Sequence, residues 1–377
     1  MPVRVHAQSH SYEVIIGRGV LAQLGEHARR RLTPQAQRIA LISNHKVFDI
    51  YGERAIESLR GAGLATTHWL MKDGERFKNL KSLGHALRFL SDSSLERSDA
   101  VVALGGGVVG DLAGFAAASY LRGIAFLQVP TTLLAQVDAS VGGKTAVNTE
   151  AGKNLIGAFH HPRAVLIDTD TLQTLPAREL TAGWCESIKQ GAVSSTNLFG
   201  ETYNFLQRRA AGKMKGSEKR LERLIATQVA FKASIVANDE REDILRTDAL
   251  SRRILNFGHT TAHAIEAITG YRRFRHGEAV GYGMLVAAEI SKRLGLLDRS
   301  ELELLREAVR LCGRLPRADD LDEDATLNSL ARDKKSVGGR LKWVLLERIG
   351  RARIVDGREI GQKILRASLR AGLSKLS

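Results

Sequence analysis

The first 174 residues alternate short apolar runs with amphipathic segments, and this alternation constrains the fold more than any other feature. The runs SYEVIIG, RIALIS, TTHWLM, DAVVALG, IAFLQVP and AVLIDT are typical of strands. Amphipathic segments such as Val47–Gly61 and Leu80–Ser91 lie between them. Strands that alternate with helices predict a mostly parallel sheet covered by helices, so we expect an α/β domain over residues 1–174.

Helical periodicity dominates after residue 174, over Arg178–Gln190, Ser217–Val236, His259–Ile268, Glu278–Leu294 and Glu301–Leu311. One hairpin pattern, LKWVLLERIGRARIV, precedes a final helix. A chain of 377 residues exceeds what a single hydrophobic core usually organises. We therefore expect a second, mostly α-helical domain over residues 175–377.

The formal charge of +15 fits either a nucleic-acid-binding protein or one that holds a multiply anionic small molecule. The basic stretch RRAAGKMKGSEKRLERL has almost no aromatic residue, which favours a solvated helix face over a base-stacking surface. We therefore expect a small anionic ligand and no nucleic acid.

The only cysteines are Cys185 and Cys312, which are far apart, so a disulfide framework is excluded. The sequence contains no apolar signal core and no apolar run of bilayer length. These observations predict a cytoplasmic protein that does not engage a membrane.

A glycine-rich turn, VVALGGGVVGDLAGFAA, joins a predicted strand to a predicted helix, and Gly105, Gly107 and Gly110 satisfy G-x-G-x-x-G. The acidic residue expected about twenty positions on is missing. The turn is therefore either a phosphate-binding loop of another construction or a tight βα turn. Lys144 and Lys153 each lie beside a glycine, as anion-binding lysines do, although either alone could be a solvated surface residue.

His259 and His263 are four residues apart in a predicted helix and share one of its faces, and His276 follows in a turn. Two histidines and a carboxylate would form a three-ligand catalytic metal site. Glu186 is the best candidate for the acid, although it could instead pair with Lys189 at i,i+3. The spacing leaves open which two histidines bind, and whether a metal binds at all.

Several blocks in collinear order carry a family resemblance, from DGERFK to RDKKSVGGRLKWVLLERIG. They include GGGVVGDLAGFAA, QVPTTLLAQVDASVGGKTAVN, GKNLIGAF, ESIKQG, DERE, LNFGHT and HGEAVGYGM. In these blocks the chain resembles the 3-dehydroquinate synthase family, which belongs to the sugar-phosphate cyclases. The resemblance implies an N-terminal dinucleotide-binding α/β domain, a C-terminal helical domain and an active site between them.

The resemblance also implies ligands and roles. A divalent metal, zinc or alternatively cobalt, would be held by Glu186, His259 and His276, which leaves His263 near the substrate phosphate. NAD would be bound by Asp73, Gly74, Glu75, Arg76, Phe77, Lys78, Gly107, Val108, Val109, Gly110, Asp111, Thr131, Thr132, Lys144, Lys153, Thr171, Leu172, Gln173 and Thr174. Substrate contacts would come from Asp138, Lys144, Lys153, Asn154, Lys189, Lys232, Glu242, Arg252, Asn256, His263 and Lys334. Arg122 would reach across the interface of a homodimer.

The implied activity is that of a carbon–oxygen lyase of the shikimate pathway, in which 3-deoxy-D-arabino-heptulosonate 7-phosphate becomes 3-dehydroquinate and phosphate. Transient oxidation by NAD, β-elimination, re-reduction and aldol closure would follow in that order. The alternatives are a sibling cyclase acting on sedoheptulose 7-phosphate and a metal-dependent polyol dehydrogenase.

The chain departs from the family pattern at three places: an insertion over residues 243–251, Ala262 in GHTTAHA, and the histidines of FHHP. The insertion lies between Glu242 and Arg252, two of the implied substrate contacts.

Overall fold

A computed structural model describes residues 1–7, 10–336 and 341–375, without the side chains of 333–336. It contains two compact units. Unit 1 comprises Met1–Leu175 and Glu218–Ala237, and unit 2 comprises Pro176–Ser217 and Asn238–Ser377. The sequence predicts one boundary, after residue 174. The structure differs in that the segment Glu218–Ala237, which follows this boundary in the sequence, belongs to the N-terminal unit.

The strands lie mainly in unit 1. In chain order they are β1 (Pro2–Val5), β2 (Tyr12–Gly17), β3 (Arg38–Asn44), β4 (Ala65–Met71), β5 (Ala100–Gly105), β6 (Ala125–Pro130), β7 (Lys144–Thr149), β8 (Gly152–Phe159), β9 (Ala164–Asp168), β10 (Lys342–Arg348) and β11 (Arg351–Asp356). Each of the strand patterns predicted in the first domain corresponds to one of these strands.

Seven strands form one sheet in the order β1-β2-β9-β6-β5-β3-β4. All neighbouring pairs are parallel except β1 with β2. The predicted mostly parallel α/β sheet is thereby confirmed. The carboxyl ends of parallel strands share one edge of a sheet, and ligands of open α/β sheets bind at that edge.

The helices are α1 (Leu24–Arg31), α2 (His45–Gly61), α3 (Leu80–Asp92), α4 (Gly107–Ser119), α5 (Ala177–Ser194), α6 (Thr196–Ala210), α7 (Glu218–Asn238), α8 (His259–Ile268), α9 (His276–Arg293), α10 (Arg299–Cys312), α11 (Glu323–Ser336) and α12 (Gln362–Gly372). Helix α8 begins and ends where the periodicity predicted. No helix among the described residues is both long and apolar enough to cross a bilayer.

Strands β5, β6 and β9 in the middle of the sheet are buried on both faces, which explains why their sequences are continuous apolar runs. Successive residues of β3 enter different cores: Ile39 and Leu41 pack with α1 and α2, whereas Ala40 and Ile42 pack with α3 and α4. This alternation follows from the two-residue period of a strand.

Strands β7 and β8 form an antiparallel hairpin that the sequence patterns did not predict. The sequence favours an anion-binding loop in this segment, because Lys144 and Lys153 each lie beside a glycine. In the structure Lys144 begins β7, whereas Lys153 and Asn154 lie on β8.

Candidate active site

The glycine turn in unit 1 joins β5, which ends at Gly105, to α4, which begins at Gly107. The Thr131 N–H donates to the Gly105 carbonyl at 3.0 Å, so the end of β6 is held against the turn. A Cβ at Gly106 would lie 3.0 Å from the Thr132 methyl group. The predicted strand–turn–helix context is therefore present, and the first backbone N–H groups of α4 lie at the edge where anions bind.

Lys78 lies at the centre of a buried polar cluster in unit 1, with its side chain only 4% exposed. Its Nζ donates to Asp111 Oδ2 at 2.8 Å and to Asn154 Oδ1 at 2.7 Å, and lies 3.3 Å from Glu75 Oε1. Although burial acts to raise the pKa of Glu75, the ammonium groups of Lys78 and Lys153 lower it. Five residues assigned by resemblance to NAD or substrate are thus linked electrostatically.

The adenosine-end candidate Asp73 follows β4, next to the end of β3. Its carboxylate accepts from Asn44 Nδ2 at 3.2 Å and from Lys46 Nζ at 2.7 Å. Sequence reasoning missed both partners, because Asn44 and Lys46 lie between the strand pattern RIALIS and the helix pattern that begins at Val47. Parallel pairing of β3 with β4 puts these residues beside Asp73.

Gln136 holds two other candidate segments together. Its Nε2 donates to the Pro130 carbonyl at 3.2 Å, to the Asp168 carbonyl at 3.2 Å and to Thr171 Oγ1 at 3.1 Å. The Thr174 hydroxyl lies 2.5 Å from Tyr51 Oη. Neither Gln136 nor Tyr51 was predicted, and only the order of the strands brings them to this edge.

Two substrate candidates of unit 1 contact each other directly. Lys232 Nζ, on α7, lies 2.7 Å from Asp138 Oδ1 and donates to the Asp138 carbonyl at 2.6 Å. The Lys232 side chain is only 8% exposed, so its ammonium group pairs with the Asp138 carboxylate largely shielded from solvent.

The three metal-ligand candidates converge in unit 2. Glu186 on α5, His259 at the start of α8 and His276 at the start of α9 each offer one ligand atom, and these atoms lie within 4.8 Å of one another. Glu186 is fully buried. His263 is exposed on α8, with its ring centroid 5.6 Å from that of His259, and lies outside this triad.

Close contacts at glycines bring the three helices together. A Cβ at Gly277 would lie 2.0 Å from the Ala182 carbonyl oxygen, so α9 begins in direct backbone contact with α5. A Cβ at Gly283 would lie 1.9 Å from the Gly258 carbonyl oxygen. Gly258 itself caps α8 with φ 81°, a conformation that favours glycine. The motifs LNFGHT and HGEAVGYGM therefore supply both the histidines and the backbone approach that assembles them.

The chemistry of the triad fits a divalent metal. Two imidazoles and one carboxylate match the ligands of catalytic zinc sites, which keep a position open for substrate. Burial and the nearby Lys189, His276 and His263 lower the pKa of His259 well below its usual value, so its imidazole is neutral near pH 7. Neutral imidazole is the form that binds metal.

Lys189 lies beside the triad, with its Nζ 2.5 Å from Glu186 Oε2 and its side chain 1% exposed. Glu186 therefore belongs to a group of side chains that could hold a metal ion, and it also pairs with Lys189.

Two further carboxylates of unit 2 lie at the start of α9: Glu266 on α8, and Glu278, the third residue of α9 itself. Glu266 Oε2 lies 3.3 Å from His276 Nδ1. Glu278 accepts the Arg275 N–H at 2.7 Å and pairs with Arg178 on α5 at 2.6 Å. Sequence reasoning missed both; the available signal for Glu266 was its position seven residues after His259, two helical turns along the same face.

The insertion over residues 243–251 leaves its flanking candidates connected. Asn256 Nδ2 donates to Glu242 Oε1 at 2.9 Å. The Arg252 N–H donates to Asp239 Oδ2 at 2.7 Å, and its Nη1 donates to the Glu240 carbonyl at 2.7 Å. Residues 243–251 therefore form a loop whose two flanking segments are joined by these hydrogen bonds.

The residues at the other two departures pack against their neighbours. Ala262 is fully buried within α8. His161 packs behind the turn before Lys144, where a Cβ at Gly143 would lie 2.8 Å from its ring. His160 stacks on Phe126 with ring centroids 5.3 Å apart. The remaining candidate Lys334 has its side chain outside the described residues, and Arg122 occupies a left-handed conformation with φ 66°.

Two solved structures have similar folds. One is ValA, a 2-epi-5-epi-valiolone synthase from Streptomyces hygroscopicus with NAD+ and Zn2+ bound, which has a TM-score of 0.84 at 26% identity over 97% of this chain and 98% of that one. The other is a 2-deoxy-scyllo-inosose synthase complexed with carbaglucose-6-phosphate, NAD+ and Co2+, with a TM-score of 0.81 at 26% identity over 99% and 100%. By fold, the molecule is of the sugar-phosphate cyclase class.

The sequence comparisons narrow that class to a family. Residues 68–182 match the family model for the N-terminal part of 3-dehydroquinate synthase, and residues 183–336 match the model for its C-terminal part. The 3-dehydroquinate synthase of Pelotomaculum thermopropionicum is 44% identical over 99% of this chain and 97% of its own length. The chain belongs to the 3-dehydroquinate synthase family.

Proposed function

We propose that this protein converts 3-deoxy-D-arabino-heptulosonate 7-phosphate to 3-dehydroquinate and phosphate, as a carbon–oxygen lyase of aromatic amino acid biosynthesis. The observation that carries the proposal is the convergence of Glu186, His259 and His276 within 4.8 Å in a chain of this family. When bound, NAD supplies a reversible hydride acceptor and the divalent metal, zinc or cobalt, supplies a Lewis acid that acidifies a hydroxyl.

The protein's own residues hold the ligands and stabilise charge. Residues 1–174 bind NAD through the glycine turn and the Lys78 cluster, and residues 175–377 hold the metal. Lys189 and Lys232, each next to a carboxylate, contribute cationic charge toward the phosphate and carboxylate of the sugar acid. Glu242 orients the Asn256 amide by accepting its N–H. The ligand is a small anion and not a nucleic acid, and the enzyme works in the cytoplasm.

The first test is a phosphate-release assay with each cofactor omitted in turn. We expect phosphate from the heptulosonate phosphate only when NAD+ and Zn2+ or Co2+ are both present, with no net NADH because the hydride returns to the substrate. Sedoheptulose 7-phosphate, which lacks the carboxylate, is the matched control and should yield none. NADH formed in proportion to substrate would instead indicate a polyol dehydrogenase, and turnover of the control would indicate a sibling cyclase.

The enzyme also works as a homodimer. Leu121, Leu155 and Phe159 of unit 1 are apolar side chains that are 40%, 61% and 43% exposed. The chain at Gly123 approaches His160, whose ring lies 4.0 Å from a Cβ built at Gly123. Arg122 follows Leu121 in the chain, and a second copy of the chain is the occupant of these exposed apolar side chains that the family resemblance supports.

Replacing Leu155 and Phe159 together by serine is expected to convert the dimer to a monomer, because apolar area that is buried between copies stabilises their association. Sedimentation velocity measures the change. The control is the double variant Ile244→Ser/Leu245→Ser. These two residues belong to the insertion in unit 2 and are 73% and 83% exposed. A monomeric wild type, or a monomeric control variant, would contradict the assignment of the interface.

A further inference from the structure

Glu266 is a buried acid that no sequence motif assigned. It lies in the third turn of α8, seven residues after His259, and is 2% exposed. Its Oε2 lies 3.3 Å from Nδ1 of His276, which belongs to the next helix. A carboxylate this deeply buried is stabilised only when it is paired or hydrogen-bonded.

His276 lies between two carboxylates that contact different ring nitrogens. Nδ1 faces Glu266, whereas Nε2 lies 3.6 Å from Glu186 Oε1 within the triad. An ionised carboxylate can only accept a hydrogen bond, so the contact with Glu266 places the proton of a neutral imidazole on Nδ1. The lone pair then lies on Nε2 and points into the triad.

From these contacts we infer that Glu266 is a positioning residue for the metal, acting through His276. The inference rests on the proposed function, since it concerns the same metal site. Glu266 selects the tautomer and ring orientation in which His276 can bind a cation, as outer carboxylates do for other metal-binding histidines. Glu266 is not one of the three ligand candidates themselves.

The arrangement gives α8 two tasks. The helix carries the ligand His259 at its first residue and Glu266 two turns later, and Glu266 orients a ligand on α9. Backbone contact between Gly258 and Gly283 sets the distance between these helices. The ligand geometry of the triad therefore depends on a hydrogen bond between α8 and α9 as well as on packing.

The test measures the affinity of the metal-free protein for Zn2+ alone, by competition with a chromogenic chelator. We expect Glu266→Gln, whose amide oxygen can still accept the Nδ1 proton, to bind Zn2+ about tenfold more weakly, and Glu266→Leu about 100-fold more weakly. The absorption spectrum of bound Co2+ should change in Glu266→Leu and stay close to that of wild type in Glu266→Gln. Urea unfolding monitors the folding of each variant.

The control is Glu289→Gln, because Glu289 on α9 is also buried, at 5% exposed, and pairs with Arg306 at 3.2 Å. It should bind Zn2+ as wild type does. Unchanged Zn2+ affinity in Glu266→Leu would overturn the inference, as would an equal loss in the control. A wild type that binds no Zn2+ would contradict the proposed function itself, and the inference with it.

Discussion

Glu186→Gln is expected to abolish phosphate release and tight Zn2+ binding. Glu186 supplies the single negative charge of the triad, and a neutral amide is a poor replacement for it. The loss of metal affinity should exceed the roughly 100-fold that changes outside the ligand set cost. A Lewis acid contributes several kcal/mol to the transition state, so kcat/KM should fall by about 10³-fold or more.

The variant also disturbs a buried ion pair, and this effect must be separated from the loss of metal. Lys189 is 1% exposed and lies 2.5 Å from Glu186. An uncompensated buried ammonium costs about 3–5 kcal/mol. The double variant Glu186→Gln/Lys189→Met removes that charge, so we expect it to regain free energy of unfolding without regaining Zn2+ binding. Wild-type Zn2+ affinity in Glu186→Gln would remove Glu186 from the ligand set.

Gly283→Ala should have the second large effect, because the added methyl group would lie 1.9 Å from the Gly258 carbonyl oxygen. The Gly258 carbonyl is backbone and cannot rotate away as a flexible side chain could. The methyl group therefore fits only if α8 and α9 move apart. Overpacking of this kind costs about 1–3 kcal/mol and occasionally more. Since His259 and His276 begin these two helices, Zn2+ affinity should fall together with the free energy of unfolding in urea.

Gly200→Ala is the matched control for that variant. Gly200 lies within α6 of the same unit, and nothing lies within 4 Å of a Cβ built there. Alanine in an unobstructed helix position stabilises by about 0.5–1 kcal/mol, so this variant should be slightly more stable and bind Zn2+ normally. If Gly283→Ala behaved like Gly200→Ala, the close approach of α8 and α9 would not govern the triad.

Local patterns were sufficient for much of the fold. Six of the seven strands of the main sheet were predictable from their apolar runs, of which β5 is the clearest because it is buried at every residue. Strand β1 was not predicted, since only four residues form it and they are largely exposed. Helix α8 was predictable to its ends because its apolar residues recur with helical periodicity over His259–Ile268. The hairpin of β7 and β8 was not, since β8 is largely exposed and so lacks an apolar run.

Local patterns could not determine the site. The spacing of His259, His263 and His276 allows any two of them to converge, and the family resemblance was needed to select a pair. In the structure, ligand atoms of His259 and His276 lie within 4.8 Å of one another and of a carboxylate oxygen of Glu186. Glu186 lies on α5, more than seventy residues upstream of His259, so local spacing could not show that it is near. The pairing of Glu266 with His276 and the grouping of α7 with unit 1 also depend on contacts distant in sequence, which no periodicity encodes.

The hydrogen bond between Glu242 and Asn256 has a practical consequence for protein engineering. The bond joins the two ends of the segment from Glu242 to Asn256. The number of residues in that segment can therefore vary while the geometry of its two ends is kept. Doubling the length of such a loop costs only about 0.6 kcal/mol in closure entropy. The exposed side chains of Ile244 and Leu245 in this segment therefore mark a suitable place to graft an epitope tag or a fluorescent reporter.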